Sequence, residues 1–209
     1  MSLDLATLPT FDPRPATLTG QRVLLRPASL EDAPALAAAC PPGTTQWFPV
    51  PVDDEAAWRR VLPLALSQQD QGNEVVFTMV DTTTGQVCGS SRYIAIERVH
   101  RRLEIGWTVI GPAWHGTGIN TEAKLLMLGH AFDTLGATRV EFKTDSLNTR
   151  SRAALRAIGA VEEGTFRNHM VVPGPRLRHS VYFSVIREEW SEVRAGLRNR
   201  FQRQHPAFA

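Results

Sequence analysis

The chain has 209 residues, 43% hydrophobic and 21% charged, a balance that fits one folded domain with extra elements and excludes disordered, collagen-like and coiled-coil readings. Its 23 basic and 21 acidic residues leave a formal charge of +2, too small to imply nucleic-acid or membrane binding by bulk electrostatics. No apolar run approaches the roughly 18 residues of a membrane span, no basic apolar leader opens the sequence, and Cys40 and Cys88 lack histidines at zinc spacing. The expectation is therefore a cytoplasmic protein with no disulfide framework and no metal.

In chain order, residues 1–20 carry Pro9, Pro13 and Pro15 among threonines and are expected to form an extended arm. Residues 21–209 then read as a single domain that includes a C-terminal helix. Arg22 to Arg26 is a first strand ending at Pro27, and Ser29 or Asp32 caps an alanine-rich helix to about Ala39, with Pro34 in its first turn. A loop around Pro41, Pro42 and Gly43 precedes a second helix opened by Asp53, Asp54 and Glu55. Its apolar face is Trp58, Val61, Leu62, Ala65 and Leu66, and Pro63 is expected to bend it. From Glu74 the period becomes strand-like: VVFTMV, the turn DTTTG and QVCGSSRYIAI make a hairpin, and a fourth strand runs from Arg102 to Ile110.

GPAWHGTGIN then leads into TEAKLLMLGHAFDTLG, apolar on more than one side and so a buried helix closed by Gly136. Thr138 to Thr144 is a fifth strand, and Asn148 caps a helix to Ile158. Val161 to Phe166 and His179 to Arg187 form a last strand pair, with 166–180 read as loop. Glu188 to Gln204 is a closing helix packed by Trp190, Val193, Leu197 and Phe201. The order predicts a mixed α/β (α+β) domain.

The turn His115-Gly116-Thr117-Gly118-Ile119-Asn120 sits between a strand and a long helix, where free backbone N–H groups and the positive dipole end favour a phosphate or pyrophosphate. No Gly-Lys-Ser/Thr follows, and Thr121 stands where a dinucleotide fingerprint needs its third glycine. Strand alternation places Glu104, Gly106, Thr108 and Ile110 on one face, aiming a carboxylate to the side that leads into the turn. Helical spacing groups Asn148, Ser151 and Leu155. Lys124, one turn beyond Asn120, is either a phosphate contact or a solvated helix lysine.

EIGWTVIGPAWHGTGINTEA and KTDSLNTRSRAALRAIGAVEEG resemble the acetyl-CoA motifs of GNAT-superfamily N-acetyltransferases. The opening LTGQRVLLRPASLEDAPAL and the Asn-x-x-Ser spacing are similar to the Rim-type ribosomal-protein N-acetyltransferase branch. The likeness spans roughly residues 18 to 187. It departs from the superfamily's phosphate loop at His115 and Asn120 and keeps Gly118. The resemblance implies a mostly antiparallel mixed sheet, flanked by helices, whose fourth and fifth strands splay to admit pantetheine. It also implies that Thr108, Val109 and Ile110 hold the pantetheine through their backbone, that His115 to Asn120 hold the pyrophosphate, and that Asn148 lies on the cofactor side. The tyrosine that many members carry as general acid falls at Leu155, which leaves Ser151 as the substitute beside the leaving thiolate. Trp47 and Phe48 would wall the acceptor pocket.

An alkyl amine is mostly protonated at neutral pH, so transfer needs a proton acceptor, and Glu104 is the candidate. Its competing role is an ordinary strand carboxylate paired with Arg101 or Arg102. The reading that follows is an acetyl-CoA-dependent N-acetyltransferase acting by direct attack of a primary amine, on a small molecule or a protein N-terminus, as a monomer or homodimer. The alternative is a non-catalytic acyl-CoA-binding or sensing domain.

Overall fold

The computed structural model describes residues 5–205. Eight strands form one sheet: β1 (Leu18–Thr19), β2 (Val23–Pro27), β3 (Val75–Asp81), β4 (Val87–Glu97), β5 (Arg102–Ile110), β6 (Arg139–Asp145), β7 (Val161–Val172) and β8 (Arg176–Ile186). Their spatial order is β1-β2-β3-β4-β5-β6-β8-β7, and every neighbouring pair is antiparallel except β5 and β6. The parallel pair comes from the chain crossing over through helix α3 (Ile119–Gly129) between those strands.

Helices α1 (Ala33–Ala39) and α2 (Glu55–Asp70) cover one face, packing Leu36, Trp58, Leu62 and Ala65 on Val76 and Val109. Helices α3, α4 (Thr149–Ala157) and α5 (Trp190–Gln204) cover the other, where Met127, Leu155 and Leu197 meet Phe77, Leu103, Phe142 and Phe183. Strand β3 shows why both faces fill: Val75, Phe77 and Met79 serve one core and Val76 the other. The helix starts are fixed by side chains. The Asp54 carboxylate accepts from the Ala57 amide at 2.6 Å to start α2, and the Asn148 carbonyl accepts from the Ser151 amide at 3.0 Å to start α4.

Two expectations change. Residues 5–20 are anchored where an unpacked arm was expected: Phe11 is buried in the main core, and Leu18–Thr19 pairs with Leu24 and Leu25. The prolines suppress regular structure, but one aromatic anchor suffices to dock the segment. The stretch 166–180 is a β-hairpin turning at residues 173–175; most of β7 is exposed, so residues 166–171 carry no apolar alternation to read. Pro63 is taken up inside the 16-residue α2 with its side chain in solvent. The glycine closure at Gly136 holds (φ +66°), although α3 ends at Gly129 and a π-type turn, His130–Thr134, intervenes.

Between β5 and β6 the registered pairs are Arg102 with Arg139, Leu103 with Val140 and Glu104 with Glu141, and none follows. Beyond Glu104 the two strands diverge. This is the splay expected between the fourth and fifth strands, numbered β5 and β6 here because β1 precedes them.

Candidate active site

A cleft of about 1230 Å³ opens at the splay and runs from the head of α3 to the segment before α2. At one end stand Gly116 and Gly118, both at φ +80°, a left-handed conformation that favours glycine. Gly118 is the N-cap of α3, so the amides after it carry the free donors and positive dipole of an 11-residue helix. A Cβ on Gly118 would lie 2.4 Å from the His205 ring, which also contacts the Thr117 carbonyl. Thr121 Oγ1 donates to Gln204 Oε1 at 2.8 Å, so the end of α5 braces the turn.

Other predicted cofactor-side residues divide by direction. Asn120, Asn148 and Ser151 line the cleft, with Asn148 Oδ1 already committed to capping α4. His115 lines it too, but its Nε2 lies 2.8 Å from the Ile110 carbonyl. Thr117 donates its hydroxyl to the Trp114 carbonyl at 2.7 Å, and Ile119 is buried in the core, so those two can offer the cleft only backbone.

Strand β5 does not keep its alternation. Ser90 pairs with Val109 and Arg92 with Gly106, which leaves Ser91 facing two residues, Trp107 and Thr108, and Trp107 adopts φ +50°. This is a β-bulge, and it reverses the faces beyond it. Leu103 and Ile105 belong to the α3-side core, as does Ile110, while Trp107 and Val109 pack on the α1–α2 side. Thr108 and Ile110 therefore face away from Glu104 and Gly106, correcting the shared face expected from strand period. Thr108 points to α3, with its hydroxyl 2.8 Å from Ser91 Oγ and 2.7 Å from Lys124 Nζ.

Lys124 is accordingly not solvated, and its ammonium donates to Thr108. It is 4% exposed, lines the cleft, and burial pushes its pKa down to about 7.

At the other end, Glu104 is 4% exposed and its Oε2 lies 3.3 Å from Lys143 Nζ. Desolvation raises its pKa, and the Lys143 ammonium partly offsets this. The expected partners lie elsewhere: Arg102 bonds Glu141 at 3.0 Å, and Arg101 bonds the Gly136 carbonyl at 3.0 Å. Trp47 and Phe48 line the cleft; Phe48 meets Trp107 edge-on with centroids 4.9 Å apart, and Arg92 lies 4.4 Å above the Trp107 ring.

Lys143 and Arg178 were missed by sequence reasoning. Arg178 is buried, lines the cleft, donates Nε to Ser180 Oγ at 3.1 Å and Nη1 to the Trp47 carbonyl at 3.4 Å, and has no ion-pair partner among the described residues. A usable signal was RLRHSVYF, whose alternation puts Arg178, Ser180 and Tyr182 opposite Val181 and Phe183. Among the described residues no three His, Cys, Asp or Glu side chains group for a metal, and no helix is long and apolar enough to cross a membrane. Cys40 and Cys88 are buried free thiols outside the cleft.

Comparison with known proteins gives this geometry a context. The profile described as an acetyltransferase (GNAT) domain matches residues 22–161. The chain is 28% identical over 179 residues to p20 of Bacillus licheniformis, described as an uncharacterized N-acetyltransferase, covering 84% of this chain and 98% of that one. It is 34% identical over 109 residues, or 52% of its length, to the FsC-acetyl coenzyme A-N(2)-transacetylase of Aspergillus fumigatus, of which the match spans 46%. Among solved structures, a GCN5-related N-acetyltransferase from Brucella melitensis superposes with a TM-score of 0.83 at 28% identity, over 92% of this chain and 88% of the other.

Proposed function

The chain belongs to the GNAT acetyltransferase family and is an acetyltransferase; from that premise we propose that it transfers an acetyl group from acetyl-CoA to a primary amine by direct attack on the thioester. The observation that carries this reading is the splay. Strand β5 has no strand partner toward β6 beyond Glu104, the donor-rich head of α3 lies at one end of the opening, and a buried carboxylate lies at the other. A long acyl carrier with a diphosphate at one end and a thioester at the other matches that layout.

In this reading the amides of Gly116 to Asn120 hold the pyrophosphate, with Asn148 flanking it, and the backbone of Thr108, Val109 and Ile110 aligns the pantetheine arm. Ile110 would first have to be released by the His115 ring, which holds its carbonyl. Glu104, as carboxylate, takes a proton from the incoming ammonium, directly or through water, and Ser151 lies on the thiolate side. Holding amine and thioester together supplies the larger share of the acceleration. Trp47 and Phe48 form the apolar wall of the acceptor end.

Charge at that end narrows the acceptor. Lys143 is matched by Glu104, and Arg178 stands without a carboxylate of its own. One surplus positive charge favours an amine that carries an acidic group over a polycation.

The test is release of free thiol from acetyl-CoA with a panel of amines and N-terminal peptides. Thiol release that depends on an amine, with mass gain of one acetyl group on that amine, supports the proposal. Tight acetyl-CoA binding without transfer to any amine would instead identify a non-catalytic acyl-CoA-binding domain. Stronger thermal protection by ATP or NAD than by CoA would move the glycine turn to nucleotide binding.

A further inference from the structure

We infer that Lys124 is a catalytic residue, holding the departing CoA thiolate and giving it the proton it needs to leave. The inference rests on the acetyl-transfer reading above and adds to it a group that the glycine turn and Glu104 do not supply.

Position comes first. Lys124 projects from α3 between the two strands that diverge: its Nζ is 2.7 Å from Thr108 Oγ1 on β5 and 5.9 Å from the centre of the Phe142 ring on β6. It is 4% exposed and lines the cleft. Thr108 is its hydrogen-bond partner, so two of the three ammonium protons remain for a ligand.

Charge comes second. No carboxylate balances the ammonium among the described residues. Glu104 and Lys143 lie on the opposite face of the sheet and pair with each other. On β6, Asp145 is taken by Arg176 at 2.5 Å. On its own helix, Glu122 accepts from the amides of Gln21, Arg22 and Val23 at the entry of β2, and Arg22 faces Asp81. Arg150 of α4 and Arg200 of α5 line the more open parts of the cleft and are cations themselves. A lysine buried without a counter-ion costs stability unless a ligand uses it, and its wall of the cleft is what an anion forming inside the splay would meet.

Chemistry closes the case. The acceptor nitrogen bonds to the thioester carbon, the C–S bond breaks, and its electron pair stays on sulfur. Sulfur takes a proton from the Lys124 ammonium, leaving a neutral amine that solvent reprotonates. The acceptor's own proton goes to Glu104. With its pKa at about 7, the lysine is a stronger acid than a free thiol of roughly 8.5, so the transfer runs downhill. The ammonium is complete below that value and is lost as pH rises through it, so turnover should fall on the alkaline side.

The test uses the full chain with Lys124→Met, a similar shape without charge, and Lys124→Arg, which keeps charge to high pH. The thiolate absorbance of bound CoA is titrated with pH in each. The arginine variant, whose cation persists, should ionise the bound thiol below its free value of roughly 8.5, whereas in wild type, where the lysine yields its proton first, and in the methionine variant the thiol should ionise at or above it. The methionine variant should keep acetyl-CoA affinity within about threefold and lose about 10²-fold or more in kcat. The arginine variant should move the alkaline limb upward. Thiol titration that is the same in the arginine and methionine variants, or a methionine variant within about threefold of wild-type kcat, overturns the role of Lys124 while leaving acetyl transfer standing. A wild-type protein that binds no CoA overturns both.

Discussion

Glu122 offers the sharpest test of how the fold holds its cleft. It sits in the first turn of α3, is 4% exposed, and accepts from the amides of Gln21 at 2.7 Å, Arg22 at 2.7 Å and Val23 at 2.9 Å. One carboxylate thus ties the entry of β2 to the head of the helix that bears the glycine turn. Glu122→Ala removes the acceptor for all three. The Val23 amide is buried and cannot be rehydrated, which costs about 1–3 kcal/mol, while Gln21 is exposed and Arg22 partly so, and each loses about 1 kcal/mol net. Together the loss is about 3–5 kcal/mol, or roughly 6–20 °C in Tm for a chain of this size. Urea unfolding followed by tryptophan fluorescence measures it. CoA affinity should drop as well, because the helix head loses its tether. A loss below about 1 kcal/mol with unchanged CoA affinity would mean that the three amides find water and that the tether is idle.

The other predictions concern the two ends of the cleft. Glu104→Gln should leave acetyl-CoA affinity intact and lower kcat about 10²–10⁴-fold in steady-state assays; parallel loss of affinity and turnover would make it structural. Lys143→Met removes the ammonium that holds the Glu104 pKa down, so the raised pKa climbs further and the acid limb of kcat/KM should move to higher pH; an unmoved limb would mean that another group titrates. Gly118→Ala forces a side chain into a left-handed conformation and against His205, and should weaken CoA binding about tenfold or more by calorimetry, with partial recovery in the double variant with His205→Ala. Arg178→Gln should raise KM for acceptors that carry a carboxylate and spare neutral amines; an equal effect on both would leave Arg178 as the clamp on the Trp47 carbonyl alone.

What the sequence made legible follows from range. The hairpin of β3 and β4 rests on local period and a DTTTG turn, and the head of α3 on two glycines before an apolar helix, so both were readable from a few adjacent residues. The strand pair 161–166 and 179–187 was readable, but its extension through 166–180 was not, because most of β7 is exposed and its residues are under no pressure to alternate. The split of β5 from β6 depends on which strands the crossover brings together, which no local window contains; it entered only through the likeness of motifs.

The bulge at Trp107 is the most instructive failure, since a single extra residue has no compositional signature and yet exchanges the faces of everything after it. Strict alternation would put Thr108 beside Glu104 and leave Lys124 with no partner on the strand, so the sequence offered it only as a phosphate contact or a solvated helix lysine. With the bulge, one strand serves two chemistries: Glu104 faces the Trp47 and Phe48 end, while Thr108, four residues on, turns through the sheet to Lys124. A base and an acid that sat on one face would neutralise each other as an ion pair. Separated by the thickness of a strand, with the splay between β5 and β6 as the passage, each keeps its own environment, and a thioester lying in that passage can be approached by an amine from one side while its sulfur is met from the other. Removing the extra residue at 107 should therefore damage catalysis more than any single side-chain change in the cleft, because it would turn Lys124's partner away from it while leaving Glu104 in place.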